Sequence, residues 1–177
     1  MSQQLTAQQV KEAARDFGAD LVGIASIEAL RYLPAEINPL SIHSGAKTVI
    51  VIGRKILRGA LRGIEQGKDF QNSYPTYGLY ALEDVTLAKI TYDVTLWFEA
   101  HGLEAVPLFG YDTPGQPVGV PVAPGKPAPN VILQYRLVAQ AAGLGETGLN
   151  GLFLTPEYGP RQRFAMLVSD AEIEADV

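Results

Sequence analysis

The chain has 177 residues, of which 47% are apolar and 19% are charged, and its formal net charge is −5. This length and composition suit one soluble globular domain, since the chain is too apolar to be disordered and long enough to bury a core. The lack of cysteine excludes a disulfide, a thiol nucleophile and an iron–sulfur cluster held by this chain.

The same features restrict the partners and the compartment. An acidic chain gives nucleic acid no general attraction, and no apolar run reaches the roughly 18 residues of a membrane span. The N-terminus shows no secretory pattern. We therefore expect a cytoplasmic protein with neither membrane nor nucleic acid as a partner. Because His43 and His101 are its two histidines, a histidine-based metal site is not expected either.

The first part of the chain predicts one helix, two strands and a second, longer helix. Thr6 and Gln9 form a capping-box pattern ahead of a helix that Gly18 ends. Residues 20–25 indicate a short buried strand, and residues 47–53 are a β-branched run typical of a central strand covered on both faces. Apolar positions at helical spacing over residues 82–101 predict the longest helix.

The second part predicts a less regular arrangement. Residues 103–108 form a strand whose proline places it at a sheet edge, and residues 110–130, with six prolines and four glycines, predict a long loop. The remaining predictions are a helix over 131–142, a hairpin-like pair of strands over 151–154 and 163–168, and a solvated acidic tail over 170–177. The whole predicts a single α+β (α/β) domain over residues 1–177, with a mixed sheet flanked by helices.

Residues 143–148 read Gly-Leu-Gly-Glu-Thr-Gly and match the dinucleotide-binding pattern G-x-G-x-x-G. In a dinucleotide site that pattern leaves a strand and opens a helix, whereas here it follows a predicted helix and leads into a strand. NAD is therefore not expected. Two interpretations stay open: a helix cap and turn built from glycine, or a backbone that approaches a flat or phosphorylated ligand closely.

Two further groups of residues are candidates for binding or chemistry. Arg54, Arg58 and Arg62 would form a basic stripe on a helix, which is either a solvated face or a holder of phosphate or an RNA backbone. Residues 73–80 contain three tyrosines, which either belong to the core or contact a planar ligand and donate protons to it.

Three blocks of sequence carry a resemblance to a known family. These are Gly-Ala-Asp-Leu-Val-Gly-Ile-Ala at 18–25, Gly-Ala-Lys-Thr-Val-Ile-Val-Ile-Gly at 45–53, and residues 142–161, which run from Ala-Gly-Leu-Gly-Glu-Thr-Gly to Thr-Pro-Glu-Tyr-Gly-Pro-Arg. Together they resemble the epoxyqueuosine reductase and corrinoid-dependent reductive dehalogenase family. The resemblance implies a nitroreductase-like core that binds cobalamin in a base-off form.

The resemblance also implies an electron supply that this sequence does not contain. In the family a ferredoxin-like module with 4Fe–4S clusters follows the core, beginning just beyond the position of Asp170. Electrons would then come from a separate ferredoxin-like donor or from a C-terminal 4Fe–4S module that is missing here. Pro129 and Asn130 stand where the epoxyqueuosine reductases carry an acidic proton donor, so epoxyqueuosine is not the expected substrate. A small molecule is still expected as the substrate. The sequence shows no twin-arginine export signal of the dehalogenase kind, which again leads us to expect a cytoplasmic protein.

From the resemblance we assign candidate residues. Tyr77 and Tyr80 are the candidate catalytic proton donors, with Tyr135 as a further candidate. The candidate corrinoid-binding residues are Tyr135, Gly143, Gly145, Thr147, Gly148 and Asn150. Two alternatives remain: an FMN-binding nitroreductase-like domain, with the phosphate held by Arg54 or Arg58, and a non-catalytic partner or scaffold module. Whether the chain is itself an enzyme and whether it forms a homodimer both stay open.

Overall fold

The structure is a computed structural model that describes residues 4–110, 120–121, 123–126 and 131–176. Its regular elements, in chain order, are α1 (Ala7–Asp16), β1 (Leu21–Ser26), β2 (Thr48–Lys55), α2 (Arg62–Glu65), a π-helix (Tyr74–Leu87), α3 (Ala88–Ala100), β3 (Ala105–Phe109), α4 (Tyr135–Ala141), β4 (Glu146–Thr147), β5 (Phe153–Leu154) and β6 (Gln162–Ser169). Short 3-10 turns occupy Ile27–Leu30, Ala35–Ile37, Pro39–Ser41 and Arg58–Leu61.

The centre of the fold is a four-stranded sheet in the order β1-β2-β6-β3. Its three pairings are all antiparallel, where we expected a mixture of directions. One face packs against α1 and α3, and the other packs against α4 and the connection between β1 and β2. The predicted α+β class, with helices flanking a sheet, is confirmed.

Several elements form for the reasons that the sequence suggests. Thr6 and Gln9 make the predicted capping box, in which the Thr6 side chain accepts from the Gln9 amide. Residues 49–52 of β2 are fully buried, as expected of a strand with a neighbour on each side and helices on both faces. The strand that contains Pro107 is at the sheet edge, because proline has no N–H to donate to a further strand.

A glycine in β1 sets the distance between α4 and the sheet. A Cβ at Gly23 would lie 2.7 Å from the Ala142 carbonyl oxygen and 2.7 Å from the Leu144 side chain. The end of α4 therefore rests directly on the backbone of β1, and this contact fixes where the chain leaves the helix.

Some predicted boundaries differ from those of the structure. The long helix begins earlier, as the π-helix Tyr74–Leu87, and continues into α3. The helix expected over 131–142 begins only at Tyr135, and no single helix carries the three arginines, because Arg54 lies in β2.

The prediction of a hairpin between the last two strands is wrong. Phe153–Leu154 pairs with Glu146–Thr147, and β6 pairs with β2 and β3 in the main sheet. The glycines at 148 and 151 reverse the chain before β5, while the apolar β6 finds partners on both sides.

The prediction that residues 170–177 form a solvated tail is also wrong for the residues described. Ala171 and Ile173 are 2% and 7% exposed and belong to the core beneath the sheet. Alternation of acidic and apolar residues concealed this burial in the sequence.

Most of the loop expected over 110–130 lies outside the described residues, as do Pro129 and Asn130. Residues 123–126 form a turn in which the Lys126 amide donates to the Ala123 carbonyl oxygen at 3.2 Å. Among the helices that the structure describes, none has the length and apolar character to cross a membrane.

Candidate functional site

The glycine-rich segment after α4 forms a β-hairpin. Gly143 ends the helix with a φ of 67°, and β4 then pairs with β5. At the tip, the Gly148 amide donates to the Leu152 carbonyl oxygen at 2.8 Å, and the Asn150 side chain accepts from the Leu152 amide at 3.1 Å. The G-x-G-x-x-G pattern thus builds a hairpin and opens no helix, which agrees with the expectation that it is not a dinucleotide site.

Gly145 lies just before β4, and its backbone closely approaches that of β5. A Cβ built there would lie 2.0 Å from the Leu154 carbonyl oxygen, and the residue has a φ of 154°. An open trough of about 420 Å³ lies beside it, lined by Gly145, Glu146, Leu154, Thr155 and Pro156. The side chains of Thr147 and Leu149 are exposed. The hairpin therefore presents to the outside its backbone, the Thr147 hydroxyl, the Glu146 carboxylate, the Asn150 side chain and the apolar side chains of Leu149 and Leu152.

Three aromatic rings join this hairpin to the main sheet. Tyr135, at the start of α4, has its ring centroid 5.4 Å from that of Phe164 in β6 and 6.3 Å from that of Phe153 in β5. The Phe153 and Phe164 rings meet edge to face at 5.6 Å. Both phenylalanines are buried and Tyr135 is half-buried. The cluster holds the hairpin against the end of the sheet where β6 begins.

The loop between β5 and β6 closes over the same end of the sheet. Thr155 and Gly159 form a bridge, and the buried Gln162 side chain donates to the Phe153 carbonyl oxygen at 2.9 Å. The Lys55 ammonium lies 5.8 Å from the centre of the Tyr158 ring, a cation–π contact. Residues 142–161, the block most distinctive in the sequence, thus form one connected hairpin and loop.

On the opposite face of β6, Arg163 organises a second group of polar residues. Its Nη2 donates to the Tyr74 hydroxyl at 2.8 Å, its Nε lies 3.2 Å from Glu83 Oε1, and the same Nε lies 3.4 Å from the Gly78 carbonyl oxygen. A small cavity of about 70 Å³ lies at this end of the sheet, lined by Glu83, Asp84, Leu87, Phe109, Gly110 and Phe164. We call Tyr74, Glu83 and Arg163 the Arg163 cluster.

The sequence indicated part of this cluster and missed the rest. The three tyrosines in residues 73–80 indicate a candidate site, but the sequence pattern does not distinguish Tyr74 from Tyr77 and Tyr80. Tyr77 and Tyr80 are 56% and 60% exposed and lie on the outer side of the π-helix. Arg163 was not predicted, because its partner is 89 residues away in the chain.

The two arginines considered for a flavin phosphate are both engaged with other groups. Arg54 donates to the Gly18 carbonyl oxygen at 2.7 Å and lies 3.2 Å from an Asp20 carboxylate oxygen. Arg58 lies 2.7 Å from a Glu65 carboxylate oxygen. The structure offers no observation that favours a phosphate at either arginine.

Comparisons of the sequence with known proteins identify reductive dehalogenases as its relatives. No protein-family model matches the chain. It is 25% identical to the tetrachloroethene reductive dehalogenase of Dehalobacter restrictus, over 99% of this chain and 34% of that protein. It is 32% identical to the tetrachloroethene reductive dehalogenase of Desulfitobacterium hafniense, over 51% of this chain and 13% of that protein.

Solved structures extend the same likeness. An epoxyqueuosine reductase from Streptococcus thermophilus superposes with a TM-score of 0.61 at 20% identity, over 96% of this chain and 47% of that one. A catabolic reductive dehalogenase gives a TM-score of 0.67 at 19% identity, over 96% of this chain and 21% of that one. The chain therefore has the fold that epoxyqueuosine reductases and reductive dehalogenases share, and the resemblance noted in its sequence is confirmed. It spans less than half the length of each of these proteins.

The described residues fit one side of a large flat cofactor. The trough beside Gly145 measures about 420 Å³, within the range of about 300–1,000 Å³ for pockets of drug-sized ligands, and a corrinoid is larger than such ligands, so the trough would contact only part of it. It does offer backbone and apolar surface along one side, as such a ring requires. His43 lies beside Glu104 and His101 ends α3, both toward the other end of the sheet, so this chain brings no histidine to the hairpin.

Proposed function

We propose that this chain is the corrinoid-binding core of a reductase that acts on a small organic molecule. The observation that carries the proposal is the fold shared over 96% of the chain with reductive dehalogenases and epoxyqueuosine reductases. A further reductive dehalogenase, whose structure suggests a mechanism for B12-dependent dehalogenation, superposes with a TM-score of 0.57 at 16% identity. The block at 142–161 supports the proposal, since it forms one connected surface in the structure.

The hairpin and Tyr135 would hold the cofactor. Thr147 offers a hydroxyl for the amide arms of a corrinoid, and the exposed Leu149 and Leu152 offer apolar contact. The backbone at Gly143, Gly145 and Gly148 carries no side chains, so a ligand could approach it closely. The first role of these glycines is to form the hairpin. Asn150 already accepts a hydrogen bond within the turn, which leaves its amide N–H groups for a ligand. When bound, the corrinoid supplies reductive chemistry at cobalt.

Among the tyrosines of residues 73–80, Tyr74 is the one whose hydroxyl is oriented by a charged partner, and we propose it as the proton donor. A hydroxyl both accepts and donates, and Arg163 uses only the accepting side of the Tyr74 oxygen, so the phenol proton stays available. The guanidinium would fix the orientation of that hydroxyl. Glu83 holds the guanidinium from its other side. Tyr77 and Tyr80 remain predictions, without a comparable partner to orient them in the part of the chain that the structure describes.

The electrons would come from outside this sequence. A chain without cysteine holds no cysteine-ligated cluster, so we propose a ferredoxin-like donor or a 4Fe–4S module as the partner.

Absorbance titration tests the cofactor assignment directly. Purified chain is titrated separately with cobalamin, FMN and NAD, and bound corrinoid is expected to show the spectrum of the base-off form. Binding of FMN without cobalamin would replace the proposal with the flavin alternative. Binding of none of the three would leave the scaffold alternative.

A second experiment tests the chemistry. The cobalamin-loaded chain, supplied with a chemical reductant, is compared with its Tyr74→Phe, Tyr77→Phe and Tyr80→Phe variants on small organic halides. General acid catalysis contributes typically about 10²–10⁴-fold, so Tyr74→Phe should lose about that factor while the other two retain activity. Loss in Tyr77→Phe or Tyr80→Phe instead would move the proton donor to the exposed side of the π-helix.

A further inference from the structure

Residues 170–176 cross beneath the sheet and end at the outer edge of β1. The segment leaves β6 at Ser169, and the Thr48 hydroxyl in β2 donates to the Ala171 carbonyl oxygen at 3.0 Å. Ile173 lies in the core cluster with residues of α1 and α3. Asp176 then reaches Ile24 in β1. The path thus runs from an inner strand of the sheet to its edge.

Asp176 satisfies both backbone groups of Ile24. The Ile24 amide donates to Asp176 Oδ2 at 2.9 Å, and the Asp176 amide donates to the Ile24 carbonyl oxygen at 2.9 Å. The other carboxylate oxygen, Oδ1, is paired with the Lys11 ammonium of α1. One residue therefore supplies the donor and the acceptor that a neighbouring strand would otherwise provide.

Ile24 is the centre of the free edge of β1. The Ile27 amide donates to the Lys47 carbonyl oxygen of the neighbouring strand, and backbone groups alternate in direction along an antiparallel pair. Val22, Ile24 and Ser26 therefore direct their backbone groups away from β2. An open edge of this kind is a template for pairing with another chain.

The other edge of the same sheet carries a different protection. Just before β3, the Glu104 carbonyl oxygen accepts a hydrogen bond from the Asp170 amide. Because backbone groups alternate in direction along an antiparallel pair, the backbone of position 107 points away from β6. Proline at that position removes the central outward donor. Both edges of the sheet are thus protected near their middle, one by a proline and the other by Asp176.

We propose that residues 170–176 form an edge clasp that keeps β1 from pairing with the β1 strand of a second copy of this chain. The clasp depends on the side-chain oxygen of Asp176 that accepts from the Ile24 amide, and the pairing with Lys11 adds to its position. Ala171 and Ile173 anchor the segment in the core. The clasp is independent of the corrinoid assignment, since it uses no residue of the hairpin or of the Arg163 cluster.

Point variants test the clasp better than truncation, because Ala171 and Ile173 belong to the core and their loss would unfold the chain. Asp176→Ala removes the acceptor for the Ile24 amide. Asp176→Asn keeps an acceptor oxygen and removes the charge. Glu174→Ala is the matched control, since Glu174 is exposed in the same segment and makes no ion pair with any residue that the structure describes.

Two measurements are made on the full chain: hydrogen exchange of the Ile24 amide, and sedimentation over a range of protein concentrations. Loss of a hydrogen bond to a charged group should speed Ile24 exchange about ten- to a hundredfold in Asp176→Ala. That variant should also form larger species as concentration rises, to a greater extent than the wild type, Asp176→Asn or Glu174→Ala. Unchanged Ile24 exchange would refute the clasp. Faster exchange without added self-association would refute its protective role at the edge.

Discussion

Replacement of Gly145 by valine tests whether the hairpin is built as the structure describes. The new Cβ would lie 2.0 Å from the Leu154 carbonyl oxygen and 3.2 Å from the Thr155 Cα, so the β5 backbone would have to move. Overpacking of this kind costs about 1–3 kcal/mol, and the φ of 154° adds strain of about 1–3 kcal/mol for a residue with a side chain. We expect a loss of about 2–6 kcal/mol in the free energy of unfolding.

Thermal unfolding followed by circular dichroism measures this loss. For a chain of this size, about 2–4 °C of melting temperature corresponds to each kcal/mol, so the midpoint should fall by about 4–24 °C. Gly59→Val is the matched control, because a Cβ at Gly59 meets no described atom within 4 Å. Its midpoint should change by about 2 °C or less. Equal midpoints for the two variants would show that the close approach at Gly145 does not exist.

Three further outcomes are expected. Thr6→Ala removes the side-chain cap of α1 and should reduce the free energy of unfolding by about 1 kcal/mol in denaturant titrations, with a smaller effect for Gln4→Ala, a change at an exposed position ahead of the cap. Gln162→Leu leaves the buried Phe153 carbonyl oxygen without its donor and should reduce the free energy of unfolding by about 1–3 kcal/mol; a neutral result would show that the loop after β5 is held in another way. Calorimetry should detect weaker binding of NAD than of cobalamin. The glycines follow the carbonyl end of α4, and its partial negative charge repels a pyrophosphate. Tighter binding of NAD would contradict both the rejection of a dinucleotide site at the glycines and the corrinoid assignment.

Local signals in the sequence were sufficient for several elements. The capping box of α1 depends on residues three positions apart, and the unbroken β-branched run of β2 reflects burial on both faces, so each could be recognised without knowing the rest of the fold. The same holds for the edge position of Pro107, since proline lacks a donor in any context. The direction of the glycine pattern, from helix to strand, also argues against a dinucleotide site in the sequence alone.

Pairing between distant segments required the tertiary structure. The sequence identified strands near 153 and 165, but adjacency in the chain favoured joining them, whereas the glycine-rich turn gave β5 a nearer partner in β4. Tyr74 could not be distinguished from Tyr77 and Tyr80 because Arg163, which singles it out, lies on a strand 89 residues away.

The sequence by itself determined the fold class, the central strand, the glycine stop after α4 and the absence of a cysteine-held cluster, because each follows from residue types and their local pattern. Only the tertiary structure decided that the acidic segment 170–176 is part of the core and binds the edge of β1. The physical reason is that the sequence around Asp176 looks the same whether its carboxylate is solvated or bound. Its partners, the Ile24 amide and the Lys11 ammonium, lie far away in the chain and are brought beside it only by folding.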